Sequence, residues 1–158
     1  MTRSQMNHVG ITVSDLDASI EFYGSMFGME TLVRADPSGE IVERTVGVPN
    51  AAMRLAILAG ENGMIELIEY VRSAGEQRAP STNDVGSAHV CFQVGDIEAA
   101  YQELMAKGAR FVSPPSPPLD EGGTRIVFLS DPDGIPVEIL QPGVGESLQD
   151  KLAALSAA

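Results

Sequence analysis

A chain of 158 residues, 44% of them hydrophobic and 20% charged, is long enough to bury one core without staples, which argues against a disordered protein. Its 22 acidic residues against ten basic ones give a net charge of −12, a field that repels nucleic acid and anionic lipid over the whole surface, so no nucleic-acid or membrane partner is expected. The longest apolar runs are pieces such as LAIL and IVFL, and MTRSQMNH carries no apolar segment, so the sequence predicts neither a membrane span nor a signal peptide and places the chain in the cytoplasm.

From His8 the chain alternates in the strand sense. Val9, Ile11 and Val13 fall on one side, His8, Gly10 and Thr12 on the other. A helix follows, with Ser14 or Asp15 as N-cap, Leu16, Ile20, Tyr23 and Phe27 as its apolar stripe, and Gly28 as C-cap. Three strands are predicted next, near Glu30 to Ala35, Met53 to Leu58 and Met64 to Tyr70, the last two joined by a tight reversal at GENG. Residues 72–87, polar with Gly and Pro, read as a linker.

The pattern then begins again, 81 positions on. Val90, Phe92 and Val94 alternate against His89, Cys91 and Gln93; Asp96 takes the cap position; Ile97, Tyr101 and Leu104 form the stripe; and Gly108 closes the helix. Strands are predicted near Arg110 to Val112, Arg125 to Leu129 and Pro136 to Gln141, with DPDG as the second reversal. The Pro-rich segment 113–123 reads either as a rim over a site or as a plain connector. Cys91, the one cysteine, cannot form an intrachain disulfide, fits a reducing compartment, and reads as a small buried strand side chain. The tail 143–158 carries Leu148, Leu152 and Leu155 on one helical face. The plan is α+β, βαβββ twice within a single domain 1–158, with modules at 6–71 and 88–142.

The same alternation leaves polar groups opposite the packed side. His8 and His89, the only histidines, begin the first strand of each copy, and Glu66 and Glu138 stand out of phase with the apolar residues of each last strand. If the copies pair, two imidazoles and two carboxylates face a common concave space. That donor set suits a divalent first-row ion with open positions better than a closed structural zinc.

Taken together, the two strand starts at His8 and His89, FYGSMFGME, GTRIVFLSDPDGIPVEIL and the quartet His8, Glu66, His89, Glu138 resemble the vicinal oxygen chelate superfamily of glyoxalases, bleomycin resistance proteins and dioxygenases, over about residues 6 to 142. The resemblance implies an eight-stranded, open, barrel-like sheet around a metal cleft. It also implies a homodimer, a small-molecule substrate, and one divalent metal (Ni, Co, Mn, Zn or Fe) held by His8, Glu66, His89 and Glu138. Four ligands are similar to the glyoxalase I and methylmalonyl-CoA epimerase branch, where the metal acts as a Lewis acid toward an enediolate or enolate and a carboxylate moves the proton.

By position that carboxylate is Glu138, with Glu66 as its counterpart. Glu43 is a further candidate, by similarity to an epimerase glutamate. Four residues beyond Glu66, where glyoxalase I has an asparagine that helps hold glutathione, this chain has Tyr70, a substrate-binding candidate. Arg54 and Arg125, and behind them Arg34 and Arg44, are the candidate anchors for an anionic substrate. Met53, Met64 and Leu140 are candidate apolar walls. The expected function is a metal-dependent lyase or isomerase/epimerase. The alternatives are an Fe-dependent extradiol-type dioxygenase and a non-catalytic small-molecule binding or resistance protein.

Overall fold

The computed structural model describes residues 5–145, so the leucines of the tail lie outside the described residues. The chain runs β1 (Val9–Val13), α1 (Leu16–Phe27), β2 (Glu30–Ala35), α2 (Glu40–Val46), β3 (Ala52–Ala59), β4 (Met64–Arg72), β5 (Val90–Gln93), α3 (Ile97–Ala106), β6 (Arg110–Phe111), β7 (Arg125–Ser130) and β8 (Pro136–Gln141). It is an α+β fold of two four-stranded sheets, ordered β1-β4-β3-β2 and β5-β8-β7-β6. Two compact units carry these sheets, residues 5–79 with 132–134, and residues 80–131 with 135–145.

In the first unit β1 pairs parallel with β4, while β3 pairs antiparallel with both β4 and β2. A parallel pair cannot be closed by a tight turn, so the intervening helix and strands serve as the crossover. The helix forms where its signals stand. Asp15, at extended φ/ψ of −142° and 110°, accepts the Ala18 N–H, and Gly28 ends the helix at φ 67°, a conformation that costs glycine nothing. Leu16, Ser19 and Tyr23 of α1 are buried, as are Ala56 and Leu58 of β3 and Ile65 and Leu67 of β4.

The second unit repeats this. β5 pairs parallel with β8, which pairs antiparallel with β7. Asp96 caps α3 at −139° and 108° and accepts the Ala99 N–H; Ile97 and Leu104 are buried, as are Val127, Leu129, Val137 and Ile139 of the sheet. The Pro-rich segment is tied along β7, with the Val112, Ser116 and Leu119 N–H groups donating to the carbonyls of Phe128, Ile126 and Thr124.

The short helix α2 has no counterpart in the second unit and was not expected. Gly39 and Gly47, both at positive φ, bound it, and the Arg44–Glu40 pair lies along its exposed surface. Glu43, the further carboxylate candidate, therefore rides on this helix.

One set of polar contacts recurs in both units. The first N–H of α1, on Leu16, donates to Glu69 Oε2 at 3.2 Å; the first N–H of α3, on Ile97, donates to Gln141 Oε1 at 2.9 Å. Beside them Arg54 bridges Asp17 and Glu69, and Arg125 pairs with Glu98. The end of the last strand thus satisfies an orphan donor of the helix, and an arginine of the neighbouring strand ties down the first helical turn.

Two outcomes are expected. Leu67→Ala, at a fully buried position, lowers stability by about 2–5 kcal/mol, read as a reduced urea midpoint. Hydrogen bonds from Arg54 and then Arg34 hold Asp17 below the usual carboxylate range, so its contribution is present above the unfolded-state pKa and is lost as pH falls through the folded one. Asp17→Asn should therefore be destabilised at neutral pH, with its deficit relative to the parent closing in acid.

Candidate functional site

In the first unit the β1–β4 register sets Gly10 against Glu66, so His8, one pleat before Gly10, reaches the same carboxylate. His8 Nε2 lies 3.3 Å from Glu66 Oε2, and its Nδ1 is 2.8 Å from Asn7 Oδ1. When Nδ1–H donates to Asn7, the other ring nitrogen is the one turned to the carboxylate.

In the second unit the register sets Cys91 against Glu138, and His89 Nε2 lies 2.9 Å from Glu138 Oε2. Phe128, cross-strand from Glu138, meets the His89 ring edge-to-face at 5.4 Å between centroids. Glu138, with 15% of its side chain exposed, is the more enclosed of the two carboxylates; Glu66 has 21%. Two electron-pair donors at these separations need a positive charge between them, whether a proton or a divalent cation, and neutral imidazole with carboxylate is a donor set that first-row metals accept. The residues present therefore fit a divalent ion in chemical type.

The expected quartet thus stands as two His–Glu pairs, one in each unit, and among the described residues no group of three or more His, Cys, Asp or Glu is placed to hold a metal. Tyr70 lies on the Glu66 side of β4, two pleats further along.

The candidate arginines are engaged within their units. Arg54 is the cross-strand partner of Glu69, and Arg125 that of Gln141. Both partners share the phase of the buried residues of their strands, so these guanidiniums belong to the helix-covered faces, opposite the His–Glu pairs. Arg34 joins them by pairing with Asp17.

Cys91 is a correction. It is exposed, not buried, and its thiol hydrogen-bonds to Glu138. Desolvation first, then the Glu138 charge and that hydrogen bond, push the thiol up to about 11. Position 91 shares the phase of His89, and that was the signal available in the sequence. Gly10 occupies the matching place in the first unit, where a Cβ would sit 3.7 Å from Glu66 Oε2, an ordinary contact. Asn7, beside His8, carried no signal at all.

The family model for the Glyoxalase/Bleomycin resistance protein/Dioxygenase superfamily matches residues 5–139. Among curated relatives, a protein named 2-epi-5-epi-valiolone epimerase from an Actinomyces species is 31% identical over 92% of this chain and 84% of its own length. A probable lactoylglutathione lyase from a Synechocystis species is 34% identical over 85% of this chain and 92% of its own. Among solved structures, a glyoxalase family protein from Bacillus cereus superposes with a TM-score of 0.76 at 25% identity, covering 90% of this chain and 98% of its own.

A folded thiol that holds its proton more tightly than the ordinary 9.0 favours folding below that pH, and the contribution is lost as pH rises towards about 11. In metal-free protein, iodoacetamide should modify Cys91 with a rate midpoint well above that of a free thiol. Glu138→Gln should move that midpoint down, because it removes the neighbouring charge.

Proposed function

The chain belongs to the Glyoxalase/Bleomycin resistance protein/Dioxygenase superfamily, and from that premise we propose that it is a metal-dependent lyase or isomerase/epimerase of the glyoxalase type, acting on a small carbonyl substrate. The observation that carries the reading is the duplicated pair: a histidine one pleat ahead of the first strand's cross-strand partner to a glutamate of the last strand, once in each unit. His8, Glu66, His89 and Glu138 are the proposed ligands of one divalent ion drawn from Ni, Co, Mn, Zn or Fe. Bound there, the metal supplies a Lewis acid that lowers the cost of removing a proton from the carbon beside a carbonyl.

The chain's own groups do the rest. Glu138 accepts that proton at a carboxylate oxygen and returns it to the neighbouring carbon, and Glu66 is its counterpart from the first unit. The Cys91 thiol, neutral at ordinary pH, holds a Glu138 oxygen by a hydrogen bond and does not compete as a nucleophile. Tyr70 offers a hydroxyl on the Glu66 side.

Protein purified without chelators or an affinity tag should carry about one equivalent of metal per chain by mass spectrometry, and the His8→Ala/Glu138→Ala variant should lose it. Glu138→Gln should lower turnover of an α-hydroxy carbonyl by about 10²–10⁴-fold with the circular dichroism unchanged. Iron with oxygen consumption on a catechol would replace this reading with the dioxygenase. No uptake of any metal, even on reconstitution, would overturn it.

A further inference from the structure

We propose that Arg110 and Ser130 form an oxyanion subsite beside the His–Glu pair of the second unit, and that the substrate is a compact carbonyl compound bearing a carboxylate or phosphate; the proposal rests on the metal-centred reading above.

The register of the second sheet puts them there. Arg110 of β6 stands opposite Ser130 of β7, and Ser130 opposite Pro136 of β8, two residues before Glu138. Phe128 is the cross-strand partner of Glu138, so Arg110, Ser130, Phe128 and Glu138 share one face, while Phe111, Leu129 and Val137 share the other. Phe111 lies against Tyr101 of α3, ring centroids 4.5 Å apart, which marks its face as the helix-covered one. Arg110 therefore projects on the side of Glu138. At about 4.8 Å between strands and about 3.3 Å per residue, the main chain at Arg110 is roughly 12 Å from that at Glu138, and at Ser130 roughly 8 Å.

The guanidinium is exposed and aimed without being neutralised. Among the described residues Arg110 makes no ion pair, and its side chain donates one hydrogen bond, from Nη2 to the Asp131 carbonyl at 2.9 Å. That oxygen carries no net charge, but it belongs to a fixed turn: Asp131 is 1% exposed and its carboxylate accepts the Ile135 N–H at 2.7 Å. The rest of the fork is open to two oxygens of one ligand, and the Ser130 hydroxyl adds a neutral donor on the same face. Arg54 and Arg125, by contrast, are paired with carboxylates on the helix-covered faces, and Arg72, opposite Ala52 beyond the register shift of β3, shares that phase.

The repeat supplies an internal contrast. The matching pair in the first unit, on β2 and β3, is Glu30 with Ala59, a carboxylate and a methyl group. An oxyanion is repelled there and attracted in the second unit, whose Glu138 is the more enclosed carboxylate. A net charge of −12 disfavours anions over the chain as a whole, so a preference for one has to be local.

The test uses the full-length protein reconstituted with metal and three probes that share one chelating group: acetohydroxamic acid, uncharged at neutral pH, succinic monohydroxamic acid and phosphonoacetohydroxamic acid. Calorimetry should find at least one anionic probe binding about tenfold or more tightly than acetohydroxamic acid, and the better of the two names the oxyanion. Arg110→Gln should abolish that preference and leave acetohydroxamic acid binding unchanged. Arg110→Lys, which keeps the charge but loses the fork, should retain part of it, and Ser130→Ala should weaken the anionic probes alone. Anionic probes that bind no more tightly than acetohydroxamic acid, or a preference that survives Arg110→Gln, would overturn the proposal and leave the metal reading in place. Metal-loaded protein that binds none of the three would overturn it as well. A chain that takes up no metal overturns the metal reading and the proposal with it.

Discussion

Parallel pairing of the first strand of each unit with its last is the constraint on which the site depends. Antiparallel neighbours come almost free from a turn, and the β3–β4 and β7–β8 hairpins are of that kind. The parallel partner has to be brought back by a crossover, and α1 and α3 are its first elements. Once β1 lies along β4 and β5 along β8, the pleat alone puts a histidine and a glutamate on one side and the apolar residues on the other.

Charge is spent mostly on the helix-covered face. Glu69 serves both the Leu16 N–H and Arg54, whereas Gln141 serves the Ile97 N–H and brings no charge. Arg125 accordingly takes the Ser116 carbonyl alongside Glu98, and this helps fix the Pro-rich segment against β7. The two units reach one geometry with different electrostatics. In the first a carboxylate pair holds the arginine; in the second a carboxylate and a backbone oxygen hold it.

Much of this was legible in the sequence because repeats and period-two alternation are local signals. Asp15 and Asp96 as caps, Gly28 as a terminator, and the phase of His8, Glu66, His89 and Glu138 all follow from spacing along the chain. The engagement of Arg54 with Asp17 and Glu69 was not legible by residue type alone, although Arg54 falls in step with the buried Ala56 and Leu58. Cys91 was misplaced because its type is so often buried, while its position beside His89 pointed outward. The helix α2 escaped notice because seven residues between two glycines carry too few turns for a periodic signature.

The chain separation of those parallel partners bears on how the protein assembles. Ala59 and Met64 close their hairpin across five positions, whereas Val9 and Ile65 stand fifty-six apart. Loop-closure entropy and contact order place the short reversals first and the return of β1 last. The glutamates ride on the strands laid down early, and the histidines at the head of the strands that arrive late. Each donor pair is therefore finished only by the closing step of folding, and a unit whose edge strand frays keeps its carboxylate but loses its imidazole.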